Sequence, residues 1–202
     1  KGYLLLRYNY TATDEDYVYW SSPVTGQNLQ LFSPGTPANR IFEYKESTDF
    51  FVQTYDGVFL PGKGYAIRAE VSAMFPAQTA GYNKTYAFVG KPNNGDLSVP
   101  IKRSVNSNGN VHGYNLIGNP YPSNINFDEL YAANDTKIYK TAWLWNNTFY
   151  QKYQNGPAYN GNNYAIYNGT GGNSAPVIVG GTTAPNGIIK VGQGFIVQSR
   201  GA

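Results

Sequence analysis

An internal repeat constrains the fold of this chain more than any other feature of its sequence. Residues 19–32, YWSSPVTGQNLQLF, and residues 116–130, LIGNPYPSNINFDEL, both run from a strand-like stretch through a small or polar pair into proline. Further along, residues 59–69, FLPGKGYAIRA, and residues 188–199, IIKVGQGFIVQS, share the pattern Gly-x-Gly-aromatic-x-aliphatic. Both signatures occur in the same order in each half, so we expect two related units from an internal duplication.

The two copies differ in length. The equivalent prolines, Pro23 and Pro120, lie 97 residues apart, whereas the equivalent glycines, Gly62 and Gly192, lie 130 residues apart. The second copy therefore carries about 33 additional residues, which we place largely in residues 153–176, a segment rich in Tyr, Asn and Gly.

The repeat also predicts unit boundaries. We expect a first β unit over residues 1–105 and a second over residues 106–202, packed as one compact body. Within them, residues 40–51 and residues 141–153 each indicate a strand, a short polar turn and an aromatic return strand, so we treat them as equivalent hairpins.

Strands dominate the predicted secondary structure. The chain is 41% hydrophobic and 16% aromatic, and its 23 Gly and 12 Pro favour many short strands joined by turns. The predicted strands are residues 3–10, 17–20, 40–44, 49–55, 64–71, 84–90, 97–101, 114–118, 141–145, 149–153, 163–167, 175–179 and 194–199. One short helix is expected near residues 127–133, because Asn126 can cap its first turn and Glu129 can complete a capping box. The expected fold is all-β and β-sandwich-like.

The glycine and proline motifs are interpreted as backbone features. The stretches Gly62-Lys63-Gly64 and Gly192-Gln193-Gly194 could cradle a phosphate, but each lacks the third glycine and the helix N-terminus of a dinucleotide fingerprint. Each therefore indicates a tight turn that needs positive φ before a strand. The segment NPYP at residues 119–122 could be a substrate loop, but its prolines more simply end a strand and turn the chain.

Charge and residue content exclude several classes of function. The net charge is only +3 with 13% charged residues, and no stripe of Lys and Arg recurs, so we expect no nucleic-acid partner. No apolar run reaches the roughly 18 residues of a transmembrane helix, so we expect no membrane span. The chain has no cysteine, which excludes a disulfide framework, a thiolate metal site and a cysteine nucleophile.

Catalysis has little support among the remaining residues. His112 is the only histidine and lies in a turn-rich stretch, so we interpret it as a turn residue and not as a general base. A pair of carboxylates is the best enzymatic option, because glycoside hydrolysis requires only two. The candidates are Asp14, Glu15, Asp16, Glu43, Glu46, Asp49, Asp56, Asp128 and Glu129. None has a burial argument for a tuned pKa, so we predict no enzyme, no cofactor and no metal site. The group at residues 14–16 leaves Ca²⁺ open as an alternative.

Aromatic residues of the second copy are the candidate ligand-binding set. They are Trp143, Trp145, Tyr150, Tyr153, Tyr159, Tyr164 and Tyr167. Tyr and Trp offer rigid contact area, and the neighbouring Asn, Gln and Gly offer adaptable hydrogen bonds, which together suit the ring faces and hydroxyls of a sugar. Burial in the core is the alternative for the two tryptophans, and a long loop without a ligand is the alternative for the Tyr/Asn segment.

The combination of YWSSPVTG, GKGYAIRA, YNLIGNPYPSNINFDEL, AWLWNN and IKVGQGFIVQ resembles a region of large surface proteins of Bacteroidota that are exported by the type IX secretion system. That region lies just before the C-terminal sorting domain, and the resemblance covers nearly the whole chain. It implies a secreted or cell-surface protein in which this β-sandwich-like module neighbours other domains of the same precursor. It implies no particular ligand or activity.

These observations favour a non-catalytic extracellular module for surface adhesion or recognition. The expected partner is a polysaccharide or surface glycan. A purely structural spacer domain of a large surface protein is the alternative, and a glycoside-active enzyme is the less favoured third interpretation.

Overall fold

The computed structural model describes residues 3–6, 11–12, 17–54, 56–70, 82–83, 85–106, 108–146, 163–173 and 184–201. Antiparallel strands account for most of the regular structure, which confirms the all-β class. In chain order the strands are β1 Tyr3–Leu6, β2 Thr11–Ala12, β3 Tyr17–Trp20, β4 Val24–Thr25, β5 Ile41–Lys45, β6 Phe50–Gln53, β7 Tyr65–Arg68, β8 Tyr82–Asn83, β9 Tyr86–Val89, β10 Lys91–Pro92, β11 Tyr114–Gly118, β12 Ile125–Asn126, β13 Ile138–Trp145, β14 Tyr164–Tyr167, β15 Gly172–Asn173, β16 Ile188–Ile189 and β17 Gly194–Ser199. The α-helices are α1 Leu29–Phe32 and α2 Phe127–Ala132, and 3-10 turns span Ala38–Arg40 and Glu46–Thr48.

Two sheets carry the fold, and their strands are connected in the same order. The first sheet runs β3-β7-β5-β6, and the second runs β11-β17-β13-β14-β15. In each sheet the first strand in chain order pairs with the last strand of that sheet, the last strand pairs with the second, and the second pairs with the third. The matching order agrees with the predicted duplication. Strand β15 adds an edge to the second sheet that the first sheet lacks among the described residues.

The inner faces of the two sheets pack against each other as in a sandwich. Tyr19 and Ala66 of the first sheet meet Leu116 and Ile196 of the second, and each is 6% exposed or less. The strand registers make the residues of this shared core equivalent in pairs. The pairs are Tyr17 and Tyr114, Tyr19 and Leu116, Phe42 and Trp143, Tyr44 and Trp145, Phe51 and Tyr164, and Ala66 and Ile196.

The outer face of each sheet is covered by a helix and a loop of its own unit. In the first unit α1 brings Phe32 onto the sheet, where its ring meets Trp20 of β3 edge to face at 5.2 Å, and it also stacks on Phe88 of β9 at 4.4 Å. In the second unit α2 brings Phe127 against Phe195, with the ring centroids 6.2 Å apart and nearly perpendicular. Each sheet is therefore buried on both faces, which explains why apolar residues occupy successive positions in β7 and β17.

The proline motifs form corners, as the sequence predicts. Asn119 is fully buried, and its Oδ1 accepts a hydrogen bond from the backbone N–H of Tyr121 at 2.9 Å. Ser22 makes the same turn in the first unit, because its Oγ accepts from the N–H of Val24 at 3.1 Å. Both peptide bonds preceding the prolines at 120 and 122 are trans. The first glycine of each Gly-x-Gly motif adopts positive φ, 73° at residue 62 and 75° at residue 192, so these motifs are turns.

The structure corrects three details of the sequence analysis. Helix α2 confirms the predicted helix, and α1 is a second helix among the described residues that was not predicted. Residues 97–101 are not a strand, because Pro100 has no N–H to donate and no ladder forms there. The return strand of the second hairpin is β14 and not residues 149–153, because Trp145 pairs with Tyr164. Residues 149–153, like 175–179, lie outside the described part of the chain.

Candidate functional site

Four of the seven candidate binding aromatics belong to the described residues, and all four pack against other side chains. Trp143, Trp145 and Tyr164 point into the core shared by the two sheets. Tyr167 is 8% exposed and lies on the opposite face of the second sheet. Tyr150, Tyr153 and Tyr159 lie outside the described residues.

Trp145 is held by contacts with the first unit. Its ring stacks on Tyr19 at 5.4 Å, and its Nε1 donates a hydrogen bond to the carbonyl oxygen of Tyr17 at 2.8 Å. The hydroxyls of Tyr19 and Tyr164 lie 2.6 Å apart in a hydrogen bond, and the rings of Trp145 and Tyr164 meet edge to face at 5.2 Å. Tyr19, Trp145 and Tyr164 form an aromatic joint between the two sheets. Their rings contact one another and are therefore packed within the molecule.

Trp143 and Tyr167 also have intramolecular partners. Tyr114 meets Trp143 edge to face at 5.4 Å. The hydroxyl of Tyr167 donates to Oδ2 of Asp128 at 2.7 Å, and Lys140 Nζ lies 3.3 Å from the other carboxylate oxygen. The hydrogen bond from Tyr167 and the charge of Lys140 lower the pKa of Asp128. Asp128 therefore connects α2 to β14 through Tyr167 and to β13 through Lys140, and its carboxylate is kept ionised.

The hairpin of β13 and β14 is the base of a long inserted segment. The predicted insertion, residues 153–176, includes β14, which is the counterpart of β6, so the segment between the paired strands is residues 146–163. The last strand residue before it is Trp145, and the first after it is Tyr164, so 18 residues separate the two strands. In the first unit only four residues separate β5 from β6. Beyond the paired strands, the N–H of Asn146 donates to the carbonyl oxygen of Asn163 at 2.8 Å. The two ends of the inserted segment are thus joined by this hydrogen bond, and the adjacent strand residues Trp145 and Tyr164 belong to the aromatic joint.

The carboxylates of the first unit are engaged by cations and hydroxyls. Lys63 Nζ pairs with Glu43 and lies 2.8 Å from Oδ2 of Asp56, and Tyr65 donates to that oxygen at 3.1 Å. Burial lowers the pKa of Lys63, but its hydrogen bonds to Asp56 and Glu43 outweigh burial and raise that pKa. Burial raises the pKa of Asp56, but Lys63 outweighs it and lowers that pKa. Burial raises the pKa of Tyr65 to about 12. The cluster is thus held as an ion pair, the opposite of a carboxyl tuned for proton transfer.

A second set of acids ties the turn between β5 and β6 to the rest of the chain. Glu46 is 8% exposed and accepts hydrogen bonds from the N–H of Ser104, at 2.8 Å, and from its hydroxyl. The hydroxyl of Tyr44 donates to Asp49, whose other oxygen lies 3.7 Å from Nε2 of His112. Burial and the Asp49 carboxylate raise the pKa of Tyr44. These contacts are structural connections between the first unit and the chain leading into the second.

Asn93 is an important residue that the sequence analysis missed. Its Nδ2 donates to the carbonyl oxygens of Ser22, at 3.2 Å, and Pro120, at 2.9 Å. Its Oδ1 accepts from the hydroxyl of Thr25 at 2.8 Å. One carboxamide therefore joins the two proline corners. Its sequence context, KPNNG, resembles any other turn, so no local signal marks this role.

Two further sequence predictions concern ions and membranes. Residues 14–16, the group that left Ca²⁺ open, lie outside the described residues. Among the residues that the structure does describe, no group of three or more His, Asp and Glu side chains is arranged to hold a metal ion. No helix within those ranges is both long and apolar enough to span a membrane.

Comparison with known proteins places the chain in one family. No curated protein and no solved structure matches it. A family model described as a domain of unknown function, DUF8693, matches residues 3–202. Because the match covers nearly the whole sequence, the chain belongs to the DUF8693 family.

Proposed function

We propose that this chain is a non-catalytic extracellular module that displays the segment between β13 and β14 for recognition of a polysaccharide or surface glycan. The observation that carries the proposal is the contrast between the two hairpins. The same pair of strands is closed by four residues in the first unit and by 18 in the second. A duplicated scaffold tolerates such an addition at a strand end, where binding residues are commonly placed on rigid supports.

The base of the segment supports this assignment. Trp145 and Tyr164, the two strand residues that border it, are both fixed by Tyr19 of the other sheet. A rigid base reduces the conformational entropy that a loop loses on binding. The aromatic joint therefore acts as support, and the proposed ligand contacts fall to the candidates within the segment.

The composition of the segment supports a sugar ligand. Residues 147–162 read NTFYQKYQNGPAYNGN, in which Tyr150, Tyr153 and Tyr159 alternate with amide side chains and glycine. Tyrosine rings can cover the apolar face of a sugar, while the amides of Asn and Gln bond its hydroxyls. We assign recognition to these three tyrosines and a supporting role to the other four candidates.

Binding to insoluble polysaccharides and to a glycan array tests the assignment. The full chain is compared with a variant in which Tyr153 and Tyr159 are both changed to Ala, and with the matched control Tyr139→Ala. Tyr139 is 37% exposed on β13, at a distance along the strand from the inserted segment. We expect the double variant to bind at least about tenfold more weakly, since each lost stacking contact is worth about 1 kcal/mol. Equal binding by all three proteins contradicts the assignment.

A purely structural spacer is the second candidate function. The observation in its favour is that Trp143, Trp145, Tyr164 and Tyr167 all find partners inside the molecule. Under this hypothesis neither the wild-type chain nor any tyrosine variant is retained by a polysaccharide. The same samples, incubated with soluble oligosaccharides and assayed for reducing ends, test the less favoured glycoside-active enzyme.

We further propose a secreted or cell-surface location. The support is the resemblance of the repeated motifs to the module that precedes the sorting domain in exported surface proteins of Bacteroidota. In that setting the neighbouring domains of the same precursor are additional partners. Fusion of the chain between such domains and fractionation of the producing cells tests this location.

A further inference from the structure

The contact between the two units is reciprocal. Gln193, the middle residue of the second glycine turn, forms an antiparallel bridge with Trp20. Lys63, the middle residue of the first glycine turn, forms the corresponding bridge with Ile117. Trp20 and Ile117 each lie three residues before the corner proline of their own unit. If the two units are interchanged, one bridge takes the place of the other. This reciprocity is the defining property of an isologous interface.

Backbone hydrogen bonds repeat the same relation. The N–H of Ser21 donates to the carbonyl oxygen of Gly192 at 2.9 Å. The N–H of Gly118 donates to the carbonyl oxygen of Gly62, also at 2.9 Å. Ser21 and Gly118 each lie two residues before the corner proline, so the donors are equivalent and the acceptors are equivalent. Each first strand therefore completes its hydrogen bonds with the glycine turn of the other unit.

The second glycine of each turn is required by this contact. A Cβ at Gly64 would lie 2.7 Å from the carbonyl oxygen of Ile117, and a Cβ at Gly194 would lie 3.0 Å from the carbonyl carbon of Tyr19. Neither glycine has positive φ, so turn geometry does not explain them. Both glycines are explained by the close approach of the backbone of the other unit. The Gly-x-Gly motif thus combines a turn with a docking position.

We propose that the glycine turn and the first strand of each unit form one self-complementary association surface, whose partner is the same surface of the other unit. The chain is accordingly a fused pseudo-symmetric dimer. Its halves recognise each other through the bridges, the backbone bonds and the six paired positions of the shared core. Lys102 and Arg103 of the connecting peptide add hydrogen bonds to Asn115 and Ser199, and the covalent link between the halves is dispensable for recognition. This inference is independent of the proposed glycan binding.

Cutting the folded chain tests the proposal. Residues 108–110 are exposed and lie in a tight turn in which the N–H of Gly109 donates to the carbonyl oxygen of Asn106. A protease site inserted between Asn108 and Gly109 allows the full chain to be folded first and cut afterwards. We expect the fragments, once cutting is complete on a denaturing gel, to co-elute in native size exclusion and to re-associate after unfolding and dilution. Separation of the fragments under native conditions would overturn the proposal.

Glycine variants separate this surface from the other contacts between the halves. In the cut chain, Gly64→Ala and Gly194→Ala should each weaken association of the fragments by about tenfold or more, as expected for an overpacked contact. Gly171→Ala is the matched control, because a Cβ there meets no atom within 4 Å. Wild-type association of either interface variant would contradict a reciprocal surface. If a variant prevents folding before the cut, the cut wild-type chain still tests the proposal, because its fragments either stay associated or separate.

Discussion

At the scale of single residues, buried amides and hydroxyls shape this protein as much as its aromatic side chains do. The Nδ2 of Asn119 donates to the carbonyl oxygen of Ser123 at 2.7 Å while its Oδ1 caps the turn, so both ends of the carboxamide are used. Asn93 does the same between the two corners. A buried polar group is tolerated only when it is hydrogen-bonded, and here each bond also fixes the direction of the chain.

The ion pair of Lys63 and Asp56 predicts a pH dependence of stability. The pKa of Asp56 is lowered in the folded chain, so its ionised form stabilises the fold above the ordinary carboxyl pKa of about 4. As the pH falls through the lowered value, the carboxylate is protonated and this contribution is lost. We expect Asp56→Asn to reduce the free energy of unfolding by about 1 kcal/mol or less at pH 7, since the pair is partly exposed. The difference from wild type should shrink as the pH falls below about 4 and through the lowered pKa of Asp56.

Denaturant unfolding at a series of pH values between 2 and 7 measures this effect. Asp96→Asn serves as the control, because Asp96 is an exposed carboxylate in a turn. A constant difference between wild type and Asp56→Asn over the whole range would show that the ion pair has no part in the stability.

At the scale of elements, each proline corner leads into a short helix capped by asparagine. Asn28 Oδ1 accepts from the N–H of Leu31 at 2.8 Å, and Asn126 Oδ1 accepts from the N–H of Asp128 at 2.9 Å. Helix α2 was predictable because the pattern of Asn126 followed three residues later by Glu129 is typical of a helix N-terminus. Helix α1 has no acidic residue in its first turn and spans only Leu29–Phe32, so the cap alone was too weak a signal.

The cap of α2 predicts a measurable loss of stability. Asn126→Ala removes the acceptor for the N–H of Asp128, and such substitutions cost about 1 kcal/mol. Because α2 places Phe127 in the outer core, the loss should appear in global unfolding by urea. Asn126→Asp, which keeps an acceptor oxygen, should retain wild-type stability. A loss of equal size in both variants would indicate a role for the amide other than capping.

At the scale of the whole molecule, two sheets of equal strand order share one aromatic core. Equivalent positions are occupied by different residues, such as Phe42 and Trp143 or Phe51 and Tyr164. The tryptophan rings of the second unit are larger than the rings at the equivalent positions of the first unit, and Trp145 extends across the interface to stack on Tyr19. The asymmetry therefore lies in the side chains of the core, in the length of the second hairpin and in the added strand β15, while the order of the four common strands remains the same.

This arrangement predicts that Trp145 is important for stability and supports recognition without touching the ligand. Trp145→Ala removes the ring that stacks on Tyr19 and leaves the carbonyl oxygen of Tyr17 without that donor. We expect the free energy of unfolding to fall by about 3 kcal/mol. Calorimetry or denaturant unfolding measures the loss, and polysaccharide binding of the remaining folded protein should weaken less than in the variant with Tyr153 and Tyr159 changed to Ala. A variant of normal stability that no longer binds would place Trp145 in a ligand site.

The class of the fold, the repeat, the corners and the glycine turns could be predicted from the residues, because proline, glycine and asparagine act on the backbone within a few residues. The tertiary structure alone decided which strand returns to β13, why Gly64 and Gly194 are glycine, and that Trp143, Trp145 and Tyr164 face a second sheet. Those features depend on contacts between residues distant in the sequence, from Trp145 with Tyr164, 19 positions apart, to Tyr17 with Trp145, 128 positions apart. An alternating pattern of aromatic residues indicates that one face of a strand is apolar, but only the packing of the whole chain shows what covers that face.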